Sequence, residues 1–260
     1  MLYRYFAVLF LFGIILTGNL SLTHSVWAET LFESVVDTGL IVALRVGQAE
    51  LQGCLPDPWQ VLPPPAGPFK GANLFIAFSD RLLSLNPEGK PADGGIDRLV
   101  RLVVPAKHSQ TGESALVVTR MYTGNPKKIP GPYKNSVHTT VRREQTLKGA
   151  NVEAGAGDDF WEVRDTGGGI MDLRVQYQRA LPSRAKVEQK VYSAVEPGFF
   201  RIYRIDQVTD VVKSTPGGID RVQNYQLRVT MSELRKLFDG TESLVAIAVL
   251  SSYVRQTFLP

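Results

Sequence analysis

The chain has 260 residues, with 29 Lys and Arg against 25 Asp and Glu and a formal net charge of +4 at neutral pH. The excess is small and scattered, and its one dense group (Lys127, Lys128, Lys134, Arg142, Arg143) has no aromatic stacking series beside it, so no nucleic-acid partner is expected. A single cysteine, Cys54, rules out an internal disulfide and reads as a small buried hydrophobe.

Residues 1–28 read as a secretory signal. Arg4 supplies the positive start, Phe6 to Leu16 is an apolar run, and Val26-Trp27-Ala28 offers small residues at the two positions a signal peptidase inspects. The run falls short of the roughly 20 apolar residues that span a bilayer. Cleavage before Glu29 is therefore expected, leaving a periplasmic or secreted protein with no stable membrane anchor. Residues 29–260 are expected to form one domain, with a charge near +3 once Arg4 is lost from the +4 total.

Strand-like runs dominate this domain. Gly39 to Val46 is apolar and β-branched, Leu74 to Phe78 is a compact buried run, and Ile96 to Val104 interleaves arginines with Leu and Val. Ser114 to Tyr122, Val137 to Leu147, Phe160 to Val163, Ile170 to Tyr177 and Phe199 to Val212 follow, several with a two-residue alternation. Gly167-Gly168-Gly169 and Pro216-Gly217-Gly218 punctuate them as turns. The pattern predicts a mostly antiparallel β core.

Two helices are predicted. Gln48 to Gly53 is a short one. Thr230 to Phe238 carries a capping-box signature, with Thr230 as N-cap and Glu233 three residues on. Pro56 to Pro68 is expected to be an extended surface segment rather than a strand. Gly-Gly-Ile-Asp-Arg occurs at both Gly94–Arg98 and Gly217–Arg221, but the flanks differ, which argues against internal duplication.

Several chemistries find no residues to carry them. His108 and His138, the histidines after residue 28, lack metal-ligand spacing, so no metal is expected. The glycine clusters do not match phosphate-cradling patterns, and no Gly-x-Ser-x-Gly elbow is present. Lysine and carboxylate chemistry remains. Its focus is Asn125-Pro126-Lys127-Lys128-Ile129-Pro130-Gly131-Pro132. Adjacent ammonium groups repel, and repulsion with partial burial lowers a lysine pKa, giving an amine able to form an imine. The alternative for a bare Pro-Lys-Lys is a basic surface turn.

The stretch from Glu113 to Pro132, an apolar strand followed by Arg120, Met121 and then Pro126-Lys127-Lys128, resembles the acetoacetate decarboxylase family around its active lysine. Leu44-Arg45 with Leu55-Pro56-Asp57-Pro58, Arg201 to Val211, and Arg228 to Tyr253 are similar to other segments of that family. The resemblance implies an α+β fold whose strands form a cone-like barrel, with a few short helices, around a closed and mostly apolar pocket. It makes Lys127 the imine-forming lysine, Lys128 its neighbour, Arg45 the partner of a substrate carboxylate and Glu88 a candidate proton carrier.

Arg120 is a second candidate for substrate binding. Taken by their own sequence context, Arg45 reads equally as one half of a structural ion pair, Glu88 as a turn residue in Asn86-Pro87-Glu88-Gly89, and Arg120 as an orienting structural group. Met121 stands where the family has a glutamate, and Asn73 about where a second pocket glutamate is expected. The function so implied is Schiff-base chemistry on a small β-keto acid or related carbonyl compound, by a decarboxylase or an aldolase-like lyase with no cofactor. A non-catalytic periplasmic binding protein is the alternative that Met121 and Asn73 favour. A structural envelope protein is the third. Family members also assemble as homo-oligomers, although no apolar stripe here marks an interface.

Overall fold

The computed structural model describes residues 29–92, 97–125, 134–151, 155–196 and 198–260. The expected signal segment, Lys127 and Lys128, and Gly94 to Ile96 of the first repeated pentapeptide lie outside the described residues.

Strands make up nearly all of the regular structure. In chain order they are β1 (Thr30–Arg45), β2 (Trp59–Val61), β3 (Leu74–Leu85), β4 (Asp97–His108), β5 (Ser114–Thr123), β6 (Ser136–Lys148), β7 (Ala156–Asp165), β8 (Ile170–Gln178), β9 (Ser183–Ser193), β10 (Phe200–Ser214), β11 (Ile219–Asp220), β12 (Val222–Val229) and β13 (Ser243–Leu259). One short helix, α1 (Gln48–Gln52), follows β1.

Hydrogen-bonded pairings run β5-β9-β10-β13-β1-β3-β4, and β4 pairs back onto β5, so seven strands close a ring. Most neighbours are antiparallel. The exception that closes the ring is β5 with β9, a parallel pair in which Leu116 faces Val191 and Val118 faces Ser193. Parallel partners need a long crossover, and β6, β7 and β8 supply it. These three strands, joined by β12, form a second layer.

That second layer explains why the ring strands read as continuous apolar runs. Leu40, Val42 and Leu44 of β1, Ile76 and Phe78 of β3, and Leu102 of β4 point outward into a core shared with Trp161, Leu173 and Tyr177. Alternate residues, among them Ile41, Phe75 and Val103, point inward and pack with Val118, Ile205 and Leu250. Both faces are buried, so both must be apolar. Arg143, one of the dense basic group in the sequence, joins the layers. Its guanidinium bonds Asp159 at 2.8 Å and Thr38 at 2.8 Å, and lies 4.9 Å from the Trp161 ring centroid.

Gly39 marks a close approach of neighbouring backbones, since an added Cβ would sit 1.9 Å from the Phe78 carbonyl oxygen. Gly39→Ala is therefore expected to destabilise the fold by about 1–3 kcal/mol in urea unfolding, through forced separation of β1 and β3.

Two expectations need correction. Thr230 to Phe238 forms only a 3-10 turn at Ser232–Leu234, with no side-chain cap. Both members of the capping box are engaged elsewhere: Thr230 Oγ1 accepts from the Ile170 N–H at 3.0 Å, and Glu233 accepts from the Tyr122 hydroxyl at 3.1 Å. The proline-rich segment does contain a strand, β2, paired to β4 through Trp59–His108 and Val61–Ala106. Burial of Trp59 against His108 and Tyr192 holds it there, at a sheet edge where flanking prolines cost no ladder bonds.

Candidate functional site

Inside the ring lies a cavity of about 280 Å³, lined by residues from all seven of its strands. This equals the liquid volume of roughly nine water molecules. One end is apolar. Phe75, Val103, Pro105 and Leu116 line it, and Pro64 and Phe69 of the proline-rich segment close over it. Phe69 packs edge-on against Phe75 with ring centroids 5.5 Å apart, and the Ser214 hydroxyl anchors the loop by donating to the Pro68 carbonyl at 2.8 Å.

The other end is polar. Moving along β1 from Ile41 to Asp37, along β3 from Phe75 to Ser79, and along β4 from Pro105 to Arg101, the lining changes from apolar to charged. Behind it stands a cluster of five charges, four buried and one half-buried: Glu33 and Asp37 on β1, Arg81 on β3 and Arg255 on β13 are buried, and Arg101 on β4 is half-buried. Arg255 Nη2 donates to Glu33 at 2.8 Å, and Arg81 approaches Glu33 and Asp37 at 3.8 Å each. Thr257 also donates to Glu33, at 3.3 Å. Arg101 Nη2 donates to the Ser79 hydroxyl at 3.0 Å. Three guanidiniums thus face two carboxylates.

Asp37 stands out in this cluster. It is 2% exposed, and neither carboxylate oxygen has a hydrogen-bond partner among the described residues. Burial raises its pKa above the ordinary 3.8 despite the opposing pull of Arg255, Arg81 and Arg101. Burial, with Arg255 next to it, lowers Arg81, whereas Arg255 itself is raised: burial opposes its charge, but Tyr203 and Glu33 outweigh that cost.

A raised carboxyl pKa means the folded state holds the proton more tightly than the unfolded chain does. Its stabilising effect is present below 3.8 and is lost as pH rises through the folded value. Asp37→Asn, which mimics the neutral form, is therefore expected to raise Tm at pH 7. Thermal melts should show that advantage shrinking as pH falls toward 3.8.

A cross-strand row connects this cluster to the start of the lysine motif. Asp37 lies opposite Arg81, and Arg81 lies opposite Asp97. Asp97 accepts from the Thr123 hydroxyl at 2.8 Å, and Thr123 in turn accepts from the Asn125 N–H at 3.1 Å. Beyond the motif, the Met121 N–H donates to the Asn135 carbonyl at 3.4 Å, and Lys134 pairs with Glu196 at 2.9 Å.

The other residues singled out in the sequence are placed as follows. Arg45 ends β1 on the surface, where its Nε donates to the Gly71 carbonyl at 3.2 Å. Glu88 is exposed in the turn between β3 and β4. Arg120 is half-buried, and its charge is felt by Cys54 and by the Tyr122 hydroxyl, in the core outside the ring. None of the three lines the cavity. Asn73 clasps the backbone of Val46, accepting from its N–H at 2.8 Å and donating to its carbonyl at 2.9 Å. Met121 is buried in the ring interior.

Sequence reasoning passed over Asp37 and Arg101. The available signal was a charge in the middle of an apolar strand, the feature that had drawn attention to Arg45. Among the described residues no His, Cys, Asp and Glu group forms a metal-binding set.

No family model and no curated protein matches the sequence. Solved structures match it by shape. An acetoacetate decarboxylase-like enzyme from Sphingomonas wittichii RW1 gives a TM-score of 0.54 at 14% identity, over 88% of this chain and 93% of that one. The enduracididine biosynthesis enzyme MppR with HEPES buffer bound also gives 0.54, at 9% identity over 88% of this chain and 86% of that one. MppR complexed with pyruvate gives 0.52 at 9% identity over 91% of each chain. The chain therefore shares the fold of acetoacetate decarboxylase-like enzymes.

Proposed function

We propose that the protein is a divergent member of the acetoacetate decarboxylase-like superfamily that performs Schiff-base chemistry on a small oxo acid or related carbonyl compound. In this reading the seven-strand ring is the cone-like barrel and Lys127 is the nucleophile. Its amine attacks the substrate carbonyl and water leaves, giving an iminium whose nitrogen acts as an electron sink. A β-keto acid would then lose carbon dioxide to give an enamine, and protonation and hydrolysis would release the product. An aldolase-like member would instead join or cleave a carbon–carbon bond at the same enamine.

The observation that carries the reading is the cavity inside the ring, with three guanidinium groups against two carboxylates at its polar end, reached from the start of the lysine motif by the Asp37-Arg81-Asp97 row. A positive field and exclusion of water both disfavour an ammonium, which is what an imine-forming lysine requires. Lys127 is two residues beyond Asn125, which Thr123 ties to that row. Pyruvate in the solved MppR complex agrees with a small oxo-acid ligand.

The test is to incubate the purified protein with pyruvate, acetoacetate and a panel of aldehydes, add borohydride, and locate the adduct by mass spectrometry. A single adduct on Lys127, absent in Lys127→Ala, supports the enzyme. An adduct that is missing or spread over surface lysines sinks it.

The rival reading is a binding protein that keeps the cavity without the chemistry, and buried Met121 in the ring interior favours it. Residues 1–28 are proposed to direct export in either case. Protein recovered after secretion should then begin at Glu29.

A further inference from the structure

We infer that the ring cavity selects monocarboxylates with an apolar tail of about six to eight carbons, the carboxylate seated between Arg101 and Asp37 and the tail directed toward Phe69 and Phe75. Offered as a substrate class, this rests on the Schiff-base reading; as a binding site it stands without it, because no lysine takes part.

At the polar end, Asp37 is buried, lines the cavity, and has two carboxylate oxygens without hydrogen bonds among the described residues. Buried polar atoms are seldom left so, and those that are point to a missing partner. Arg101 lines the same end, and its Nε is likewise buried without a partner while Nη2 holds Ser79. Both residues line the cavity, so one guanidinium N–H and one carboxyl group stand without partners at its polar end.

Arg255 and Glu33 largely satisfy each other, with Arg81 standing off both carboxylates at 3.8 Å. The charge left over is positive, which excludes a cationic ligand and favours a single anionic group. A guanidinium can donate to one carboxylate oxygen, and a neutral Asp37 can donate its proton to the other. Burial already favours that neutral form.

The apolar end sets the rest of the ligand. Ile41, Val103, Leu116, Val118 and Leu250 offer no hydrogen bonds, and the Phe69 loop closes the far side. A ligand as short as acetoacetate would leave this end empty or wet. A second carboxylate there would be desolvated without a partner, at heavy cost. The length of the tail follows from the 280 Å³ available.

The experiment is calorimetric titration of the purified protein with butanoate, hexanoate, octanoate and dodecanoate, and with 1-octanol as the uncharged control. Affinity is expected to rise about fourfold per methylene up to about eight carbons and then to flatten or fall, as expected for burial of about 0.8 kcal/mol per methylene until the cavity is full. Octanol should bind at least about tenfold more weakly than octanoate.

Arg101→Gln should remove that preference, bringing octanoate down to the octanol level. Asp37→Leu, which removes the donor, should weaken octanoate at least about tenfold, and Asp37→Asn, which restores a donor at the same place, should recover most of that loss. Val118→Phe, with a melt to confirm folding, should block octanoate more than butanoate. Equal affinity along the chain-length series, or no preference for octanoate over octanol in the unmodified protein, overturns the proposal without any variant. If octanoate fails to bind while pyruvate is trapped on Lys127, this inference falls and the Schiff-base reading stands. The opposite pair of results separates them the other way.

Discussion

Lys127→Ala is expected to abolish turnover of any oxo acid the protein accepts, by a factor on the order of 10⁴ or more, the scale of loss when a covalent nucleophile is removed. The effect should fall on kcat rather than on binding, because the carboxylate contacts proposed for Arg101 and Asp37 do not involve the amine. Calorimetry with a non-reactive carboxylate should therefore give nearly unchanged affinity in the same variant. Lys128→Gln is the informative companion. It removes the adjacent charge but leaves the nucleophile, so activity should persist with its pH dependence displaced toward higher pH. Equal kcat in Lys127→Ala and the unmodified protein would mean that turnover does not use Lys127, and no turnover in either would leave the binding-protein reading.

The second large effect is on stability. Arg255 is buried with its guanidinium 2.8 Å from Glu33 and 4.5 Å from the Tyr203 ring centroid. Arg255→Met should cost about 3–5 kcal/mol in urea unfolding at pH 7, since it strands Glu33 without its close cation. Pairing it with Glu33→Met should recover much of that loss, because two buried charges then disappear together and their desolvation cost disappears with them. A double variant no more stable than Arg255→Met alone would mean that the pair does more than neutralise two buried charges.

Much of the fold was legible because ring strands bury both faces and so appear as apolar runs. The first half of β1 was not. Glu33 and Asp37 interrupt its pattern, and their reason for being there lies across the ring: Arg255, the partner of Glu33, is 222 residues away in sequence. A strand that lines a charged cavity looks like a loop until its neighbours are known. The predicted helix at Thr230 failed for a related reason. Its capping residues were correct by type, but Ile170 and Tyr122 had prior use for them. Tertiary partners outcompeted a local motif.

The lysine motif was legible by resemblance alone, as a short sequence held between prolines. The charged groups at the polar end of the cavity were not, because they are assembled from β1, β3, β4 and β13. Arg45 drew attention as a cation inside an apolar strand, yet it ends β1 at the surface, where its Nε donates to the Gly71 carbonyl. Arg101, in the same kind of sequence context, lies on the inward face of the ring. Which face a strand residue occupies follows from alternation; which face is the cavity follows only from closure of the ring through β4 and β5.

Site-resolved borohydride trapping of pyruvate as a function of pH asks whether one amine in this chain sits in a positive, water-poor site. If it does, adduct concentrates on Lys127 at pH 7, with a half-maximum well below the value of about 10.4 usual for lysine. Labelling that climbs only near that usual value, and equally at exposed lysines such as Lys134 and Lys190, would show that no such amine exists.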